Sequence, residues 1–204
     1  MKKALVFGGA FNPPTNAHIN LAEFALKQTG YDQVIFVPSK MTYIRNDQKK
    51  NFSFGDDTRL KMLEKIAEKR TWMIVSDHEI RSVQQPRTYL TLQYLKEQGY
   101  ACSLLFGSDK LPELQTGWLH VEEICHEFGI YCMARYEDNC EGMIAEDPYL
   151  GSLKSYIHVI HTPQTYRNIS STEVRELYLE KKFTEIDSLV PEELNGLRDY
   201  QEVL

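Results

Sequence analysis

The sequence predicts an α/β fold over residues 1–204, read as one domain: a doubly wound parallel sheet with helices on both faces. Three observations predict it. Short apolar runs alternate with longer stretches of helical period along the chain. The runs are apolar enough to be strands buried on both faces, as parallel strands are. The first run stops at a glycine pair just before a helix start, which is a strand–turn–helix unit. Right-handed crossovers then place the carboxyl ends of the strands along one edge, where such sheets bind ligands.

The elements follow in order. A strand is predicted over 3–7, from the run Ala4 to Phe7. A helix over 18–28 carries Ile19, Leu21, Ala22 and Ala25 at helical spacing. A strand over 33–38 is the run Val34-Ile35-Phe36-Val37, ended by Pro38. The helix over 57–69 opens with Arg59-Leu60 and Met62-Leu63. A strand over 72–76, a helix over 88–97 and a strand over 101–106 come next. They are followed by a helix over 118–127 and strands over 130–134 and 157–161. Helices over 171–181 and 192–200 end the pattern. Two stretches break the rhythm and read as surface loops long enough to serve as lids. Residues 39–55 are polar and hold Lys40, Arg45, Lys49 and Lys50, all candidates to touch phosphate. Residues 136–154 are acidic.

Composition narrows the function classes. The formal net charge of −6 argues against a surface that coats nucleic acid, while leaving room for a local basic pocket. The start Met-Lys-Lys-Ala-Leu-Val-Phe resembles a signal peptide only superficially, because its apolar run meets Gly8-Gly9 at once. No apolar run is long enough to span a bilayer, so the expected location is the cytoplasm, without membrane partners. The four cysteines, Cys102, Cys125, Cys132 and Cys140, include no Cys-x-x-Cys pair, and Cys102 and Cys132 read as buried thiols. A zinc site from His120, Cys125, His126 and Cys132 has no usual ligand spacing, and no metal ligand is assigned.

Three constellations carry chemistry. The first runs from Gly8 and Gly9 through Phe11 and the Pro13-Pro14 turn to His18. Thr15 or Asn16 can cap the helix there. Glycines let a ligand approach the backbone, and free N–H groups at a helix start favour an anion. A cation at a helix N-terminus costs roughly 0.3–1 kcal/mol, so a histidine placed there wants an anionic ligand. The segment is neither a P-loop nor a dinucleotide fingerprint. The second is Ile169-Ser170-Ser171-Thr172-Glu173-Val174-Arg175, where Asn168 or Ser170 can cap a helix and Glu173 suits a capping box. Its hydroxyls and N–H groups suit phosphate, with Arg175 one turn on as a charged fork. The third is Gly107-Ser108-Asp109-Lys110-Leu111, followed by Trp118. An acid at the carboxyl end of a strand suits ribose hydroxyls, although Asp109 also reads as a helix cap.

The first constellation resembles the signature of the nucleotidyltransferases related to class I tRNA synthetases, in which a Gly-x-Phe-x-Pro turn leads to a tetrad at the α-phosphate of ATP. The tetrad is Thr15-Asn16-Ala17-His18, with Thr15 where many members have histidine and Ala17 where nearly all have glycine. Residues 169–175 resemble the second signature of that superfamily, Ile-Ser-Ser-Thr-x-x-Arg, which binds the β- and γ-phosphates. Gly-Ser-Asp-x-Leu and a following tryptophan resemble the nicotinate-nucleotide adenylyltransferases. Val34 to Pro38, Arg59 to Leu63, Val75 to Ile80, Arg87-Thr88-Tyr89, Met133-Ala134-Arg135 and Leu189-Val190-Pro191 extend that likeness over nearly the whole chain.

The resemblance implies a Rossmann-like domain of nucleotidyltransferase type that joins ATP to nicotinate mononucleotide, giving the dinucleotide and pyrophosphate in NAD biosynthesis. It implies His18 and Thr15 as catalytic groups. It implies Gly8, Gly9, Phe11, Gly107, Asp109, Arg135, Ile169, Ser170, Ser171 and Arg175 around ATP, and Thr88, Tyr89 and Trp118 around the pyridine nucleotide. Mg²⁺ would accompany ATP, with few protein ligands. Partners are ATP and a pyridine mononucleotide, not nucleic acid, and a homo-oligomer stays open. Two alternatives remain: a pantetheine-phosphate adenylyltransferase, whose tetrad typically begins with threonine, and a catalytically weak nucleotide-binding module, suggested by Ala17. The remaining histidines, 78, 120, 126, 158 and 161, read as structural.

Overall fold

The computed structural model describes residues 1–46, 52–135, 138–166, 168–200 and 202–203. Lys49 and Lys50 lie outside the described residues. The chain runs through β1 (Lys2–Gly9), α1 (Asn16–Thr29), β2 (Gln33–Pro38), α2 (Met41–Asn46), β3 (Ser53–Phe54), α3 (Asp56–Ala67), β4 (Met73–Val75), α4 (His78–Arg81), α5 (Thr88–Glu97) and β5 (Tyr100–Gly107). A 3₁₀ turn, Ser108–Lys110, closes β5. Then come α6 (Glu113–Thr116), α7 (Val121–Glu127), β6 (Ile130–Ala134), α8 (Cys140–Glu146), α9 (Pro148–Ser152), β7 (Ile157–His161), α10 (Ser171–Leu179), α11 (Phe183–Ile186) and β8 (Glu202–Val203).

Six strands form one parallel sheet in the order β4-β2-β1-β5-β6-β7. The chain winds outward from β1 in one direction, returns, and winds outward from β5 in the other. The order therefore reverses between β1 and β5, and the crevice of such a sheet opens there. The predicted strands over 33–38, 130–134 and 157–161 match to the residue.

Strand residues alternate between two apolar layers, because successive side chains leave a strand on opposite faces. Ala4 and Val6 of β1 pack in one cluster with Leu92, Leu95, Val121 and Ile124 of α5 and α7. Leu5 and Phe7 pack in the other with Ile19, Ala22, Met62, Leu63 and Val174 of α1, α3 and α10. Both faces of the sheet are thus covered by helices, as the sequence predicts.

Four expectations are corrected. The helix predicted over 118–127 starts only at Val121, since His120 sits in the left-handed region at φ 63°. Trp118 therefore lies in a loop. The helix predicted over 192–200 is two 3₁₀ turns, Glu192–Leu194 and Leu197–Asp199, parted by Gly196 at φ 85°. The stretch 39–55 holds α2 and also β3, which pairs antiparallel with β8. The stretch 136–154 holds α8 and α9, each capped by the side chain before it, Asn139 and Asp147. Those caps replace apolar periodicity as the ordering signal. Among the described residues, no helix is long and apolar enough to cross a membrane.

Candidate active site

Phe11 fixes the shape of the turn after β1. Its backbone is left-handed at φ 43°, a conformation costing a non-glycine residue roughly 1–2 kcal/mol. Packing holds it there: the ring is almost wholly buried, with centroids 5.4 Å from Phe7, 5.4 Å from Phe36 and 5.3 Å from His18. A Cβ on Gly9 would press on this ring at 3.2 Å, whereas one on Gly8 would meet no protein atom within 4 Å. Gly8 thus leaves its backbone open to the crevice.

The rest of the turn is pinned from a distance. Asn12 is fully buried; its Nδ2 donates to Phe52 O at 3.0 Å and its Oδ1 accepts from Phe54 N at 2.9 Å. Arg59, also fully buried, donates to Ala10 O at 2.6 Å, Ser39 O at 2.6 Å, Phe54 O at 3.2 Å and the Asp56 carboxylate at 2.5 Å. One guanidinium thus ties the ends of β1 and β2 to β3. Burial lowers its pKa, and the Asp56 charge opposes that.

Two cavities open at the carboxyl ends of β1 and β5. The larger, about 620 Å³, is lined by His18 together with Gly8, Gly9, Phe11, Gly107, Asp109, Arg135, Ile169, Ser170 and Ser171. These are nine of the ten residues expected around ATP. The smaller, about 440 Å³, is lined by Thr88 and Trp118. The two cavities share Gly8, Gly9, Tyr43, Phe106, Lys110 and Glu113.

His18 reaches the larger cavity from the third position of α1. Thr15, not Asn16, is the N-cap. Its backbone N donates to His18 Nδ1 at 3.1 Å, its Oγ1 stands 2.8 Å from the same nitrogen, and His18 N donates back to Oγ1 at 3.5 Å. Because Nδ1 accepts from a backbone N–H, Nε2 carries the ring proton. Ser170 caps α10, accepting from Glu173 N at 3.1 Å. Ser171 Oγ donates to Pro13 O at 2.8 Å, which joins the second signature to the first. Arg135 Nη2 stands 3.7 Å from Asp109 Oδ1 at the exposed rim. Asp109 lies inside its 3₁₀ turn and is no cap.

Three expected residues line neither cavity. Thr15 is fully buried and turned onto His18, so it positions that ring. Tyr89 points away: its hydroxyl donates to Glu127 Oε1 at 2.6 Å and its ring stacks on His120 at 5.1 Å. Arg175 is half-buried, with Nη1 donating to Asn12 O at 2.8 Å and Nη2 to Thr172 Oγ1 at 3.0 Å. Lys40 is likewise engaged, its ammonium donating to Ile80 O and Ser82 O, each at 2.6 Å. The histidines read as structural sit on aromatic or acidic neighbours: His78 on Tyr94 at 3.8 Å, His126 on Tyr156 at 4.6 Å, His158 beside Tyr131 at 5.0 Å, and His161 against Glu141 at 2.8 Å. Among the described residues, no three His, Cys, Asp or Glu side chains gather as metal ligands.

Sequence reasoning missed Glu79, which lines the smaller cavity while nearly buried. Its carboxylate accepts from Thr91 Oγ1 at 2.8 Å and from Gln85 Nε2, and Gln85 Oε1 accepts from Lys40 N at 2.8 Å. Burial pushes its pKa up to about 7, against the pull of hydrogen bonds from Gln85, Thr91 and Ser39. The sequence held a faint signal, an acid followed by Ile80 in an otherwise polar turn.

Comparison with known proteins agrees with this architecture. The model of the cytidylyltransferase-like family matches residues 6–177. A Clostridium botulinum (strain Eklund 17B) protein named "Probable nicotinate-nucleotide adenylyltransferase" is 28% identical over 191 residues, 94% of this chain and 92% of that one. Its counterpart in strain Okra is 29% identical over 196 residues, 93% and 92% of the two chains. The solved structure of Plasmodium falciparum nicotinic acid mononucleotide adenylyltransferase complexed with NaAD superposes with a TM-score of 0.71. It covers 98% of this chain and 99% of that one at 21% identity, a likeness of fold.

Proposed function

The chain belongs to the cytidylyltransferase-like family, and from that premise we propose that it transfers the adenylyl group of ATP to nicotinate mononucleotide. The products are nicotinate adenine dinucleotide and pyrophosphate. One observation carries the reading: two cavities meet on Gly8 and Gly9, one with a histidine and two helix starts suited to triphosphate, the other with a tryptophan suited to a pyridine ring. The names of the curated relatives support it.

The step needs no covalent enzyme intermediate. A phosphate oxygen of the mononucleotide attacks the α-phosphorus in line, a new P–O bond forms, and the bond to the bridging oxygen breaks as pyrophosphate leaves. The protein supplies position and charge stabilisation. His18 Nε2–H donates to the α-phosphate as charge develops there, with Thr15 holding the ring. Ile169, Ser170 and Ser171 present N–H and O–H groups to the β- and γ-phosphates, and Arg135 adds charge. Gly107 and Asp109 face the ribose of ATP. Thr88 and Trp118 hold the acceptor. Mg²⁺ arrives with ATP as part of the substrate. The reaction is assigned to the cytoplasm.

The test is pyrophosphate release from ATP and Mg²⁺ with nicotinate mononucleotide, its amide counterpart or phosphopantetheine. Release with the pyridine nucleotide is expected. Release with phosphopantetheine alone would replace the acceptor. Nucleotide binding with no release from any of the three would leave a binding module.

A further inference from the structure

Joining two phosphates brings like charges together, so the place where the cavities meet calls for a cation. Among the described residues lining both cavities, Lys110 is the positively charged one. Arg135 lines the larger cavity alone and Arg87 the smaller alone.

Lys110 stands on a firm base. It ends the 3₁₀ turn after β5, and β5 pairs with β1 in the sheet, so the turn stands beside the glycine turn. Ser108 at the start of the turn is buried; its Oγ donates to Asp138 and accepts from Arg135 N at 3.4 Å. Leu111, next in sequence, is fully buried. Among the described residues, the side chain itself pairs with two half-exposed carboxylates, Glu113 at 2.9 Å and Asp109 at 3.9 Å. Exposed pairs of this kind are weak and screened by water, so the ammonium can exchange them for a phosphate.

We propose that Lys110 is a further catalytic residue of this site: its ammonium leaves Glu113 on substrate binding and bridges the acceptor's phosphate and the α-phosphate of ATP. The assignment rests on the function proposed above. It gives His18 and Lys110 separate tasks, one at the α-phosphate alone and the other at the junction of both phosphates. Glu113 is the resting partner that keeps the ammonium at the junction while the site is empty.

The test compares Lys110→Met and Lys110→Arg with the unaltered protein. Two ligands are titrated by tryptophan fluorescence: nicotinate mononucleotide and nicotinate riboside, which lacks the phosphate. In Lys110→Met, kcat is expected to fall about 100-fold and mononucleotide affinity about tenfold, while riboside affinity stays unchanged. Lys110→Arg, which keeps the charge, should recover part of both losses. Equal weakening of riboside and mononucleotide would reveal a structural role and overturn the proposal. So would unchanged kcat in Lys110→Met. Failure of the unaltered protein to release pyrophosphate with a pyridine nucleotide would instead refute the proposed function, and the role of Lys110 with it.

Discussion

Thr15 and His18 cap one another at the start of α1: the threonine N–H and hydroxyl both converge on His18 Nδ1, and His18 N returns a bond to the hydroxyl. This is a capping box with histidine in the place of the usual glutamate or glutamine. The geometry explains how an aromatic ring can stand at a helix start and still present one defined edge to a cavity. It also makes Thr15 a positioning residue, whatever its likeness to a phosphate-binding tetrad.

Thr15→Val should therefore act through His18. Loss of the cap is expected to cost about 1 kcal/mol of stability. Turnover should fall about tenfold with the KM for ATP little changed, because the ring loses the hydroxyl that bears on its Nδ1. Thr15→Ser should retain both properties. His18→Ala should lower kcat about 100-fold, the scale of one lost transition-state donor. Pyrophosphate assays and thermal melts check the set. A fully active Thr15→Val protein would sink the positioning role.

Arg175→Met should perturb the Pro13-Pro14 turn rather than the triphosphate. Its guanidinium holds Asn12 O, and removing it leaves that carbonyl short of a partner, at a cost of about 1–3 kcal/mol. Arg175→Lys should recover little, since one ammonium cannot span Asn12 O and Thr172 Oγ1 as a fork does. Urea denaturation measures this directly. Unchanged stability with a raised KM for ATP would return Arg175 to the phosphates.

Glu79 predicts a pH-dependent stability. Its pKa rises from 4.5 to about 7 on folding, so the native state keeps a proton that the unfolded chain has released. The contribution of this group is fully present below pH 4.5, is lost as pH rises toward 7, and is gone above it. The loss amounts to about 3 kcal/mol across that window. Chemical denaturation at pH 5 and pH 8 should show a smaller difference in Glu79→Gln than in the unaltered protein. Identical pH dependence in the two would refute the assignment.

Trp118 should report acceptor binding. Its ring rests against Phe106 at 5.9 Å and faces the smaller cavity, whereas Trp72 packs toward Phe36 at 6.4 Å on the other side of the sheet. Nicotinate mononucleotide should quench the emission in a saturable way. Trp118→Ala should abolish the quench and weaken acceptor binding by about 1–3 kcal/mol. A quench that survives in Trp118→Ala would place the ring elsewhere.

The central strands and the main helices were legible in the sequence because their signals are local. The runs Ala4 to Phe7 and Val34 to Val37 have nowhere to go but a sheet buried on both faces, and Ile19, Ala22 and Ala25 mark one side of a helix. The helix starts were legible for the same reason, since a cap bonds within three residues of itself. The sequence left Thr15 or Asn16 and Asn168 or Ser170 open, and the structure chose Thr15 and Ser170. Errors fell where local signals were weak. Gly196 broke a helix whose period continued past it, and α8 and α9 formed on caps inside an acidic stretch.

By itself, then, the sequence determined the doubly wound sheet, the glycine turn before His18 and the two helix starts that flank one cavity. Only the tertiary structure decided which polar side chains line the cavities and which bond to the protein itself. Arg175 reaches Asn12 across 163 residues and Arg59 reaches Ala10 across 49. No local pattern encodes such pairings. A buried donor or charge must find its acceptor wherever folding brings one, because leaving it unpaired costs more than any propensity supplies.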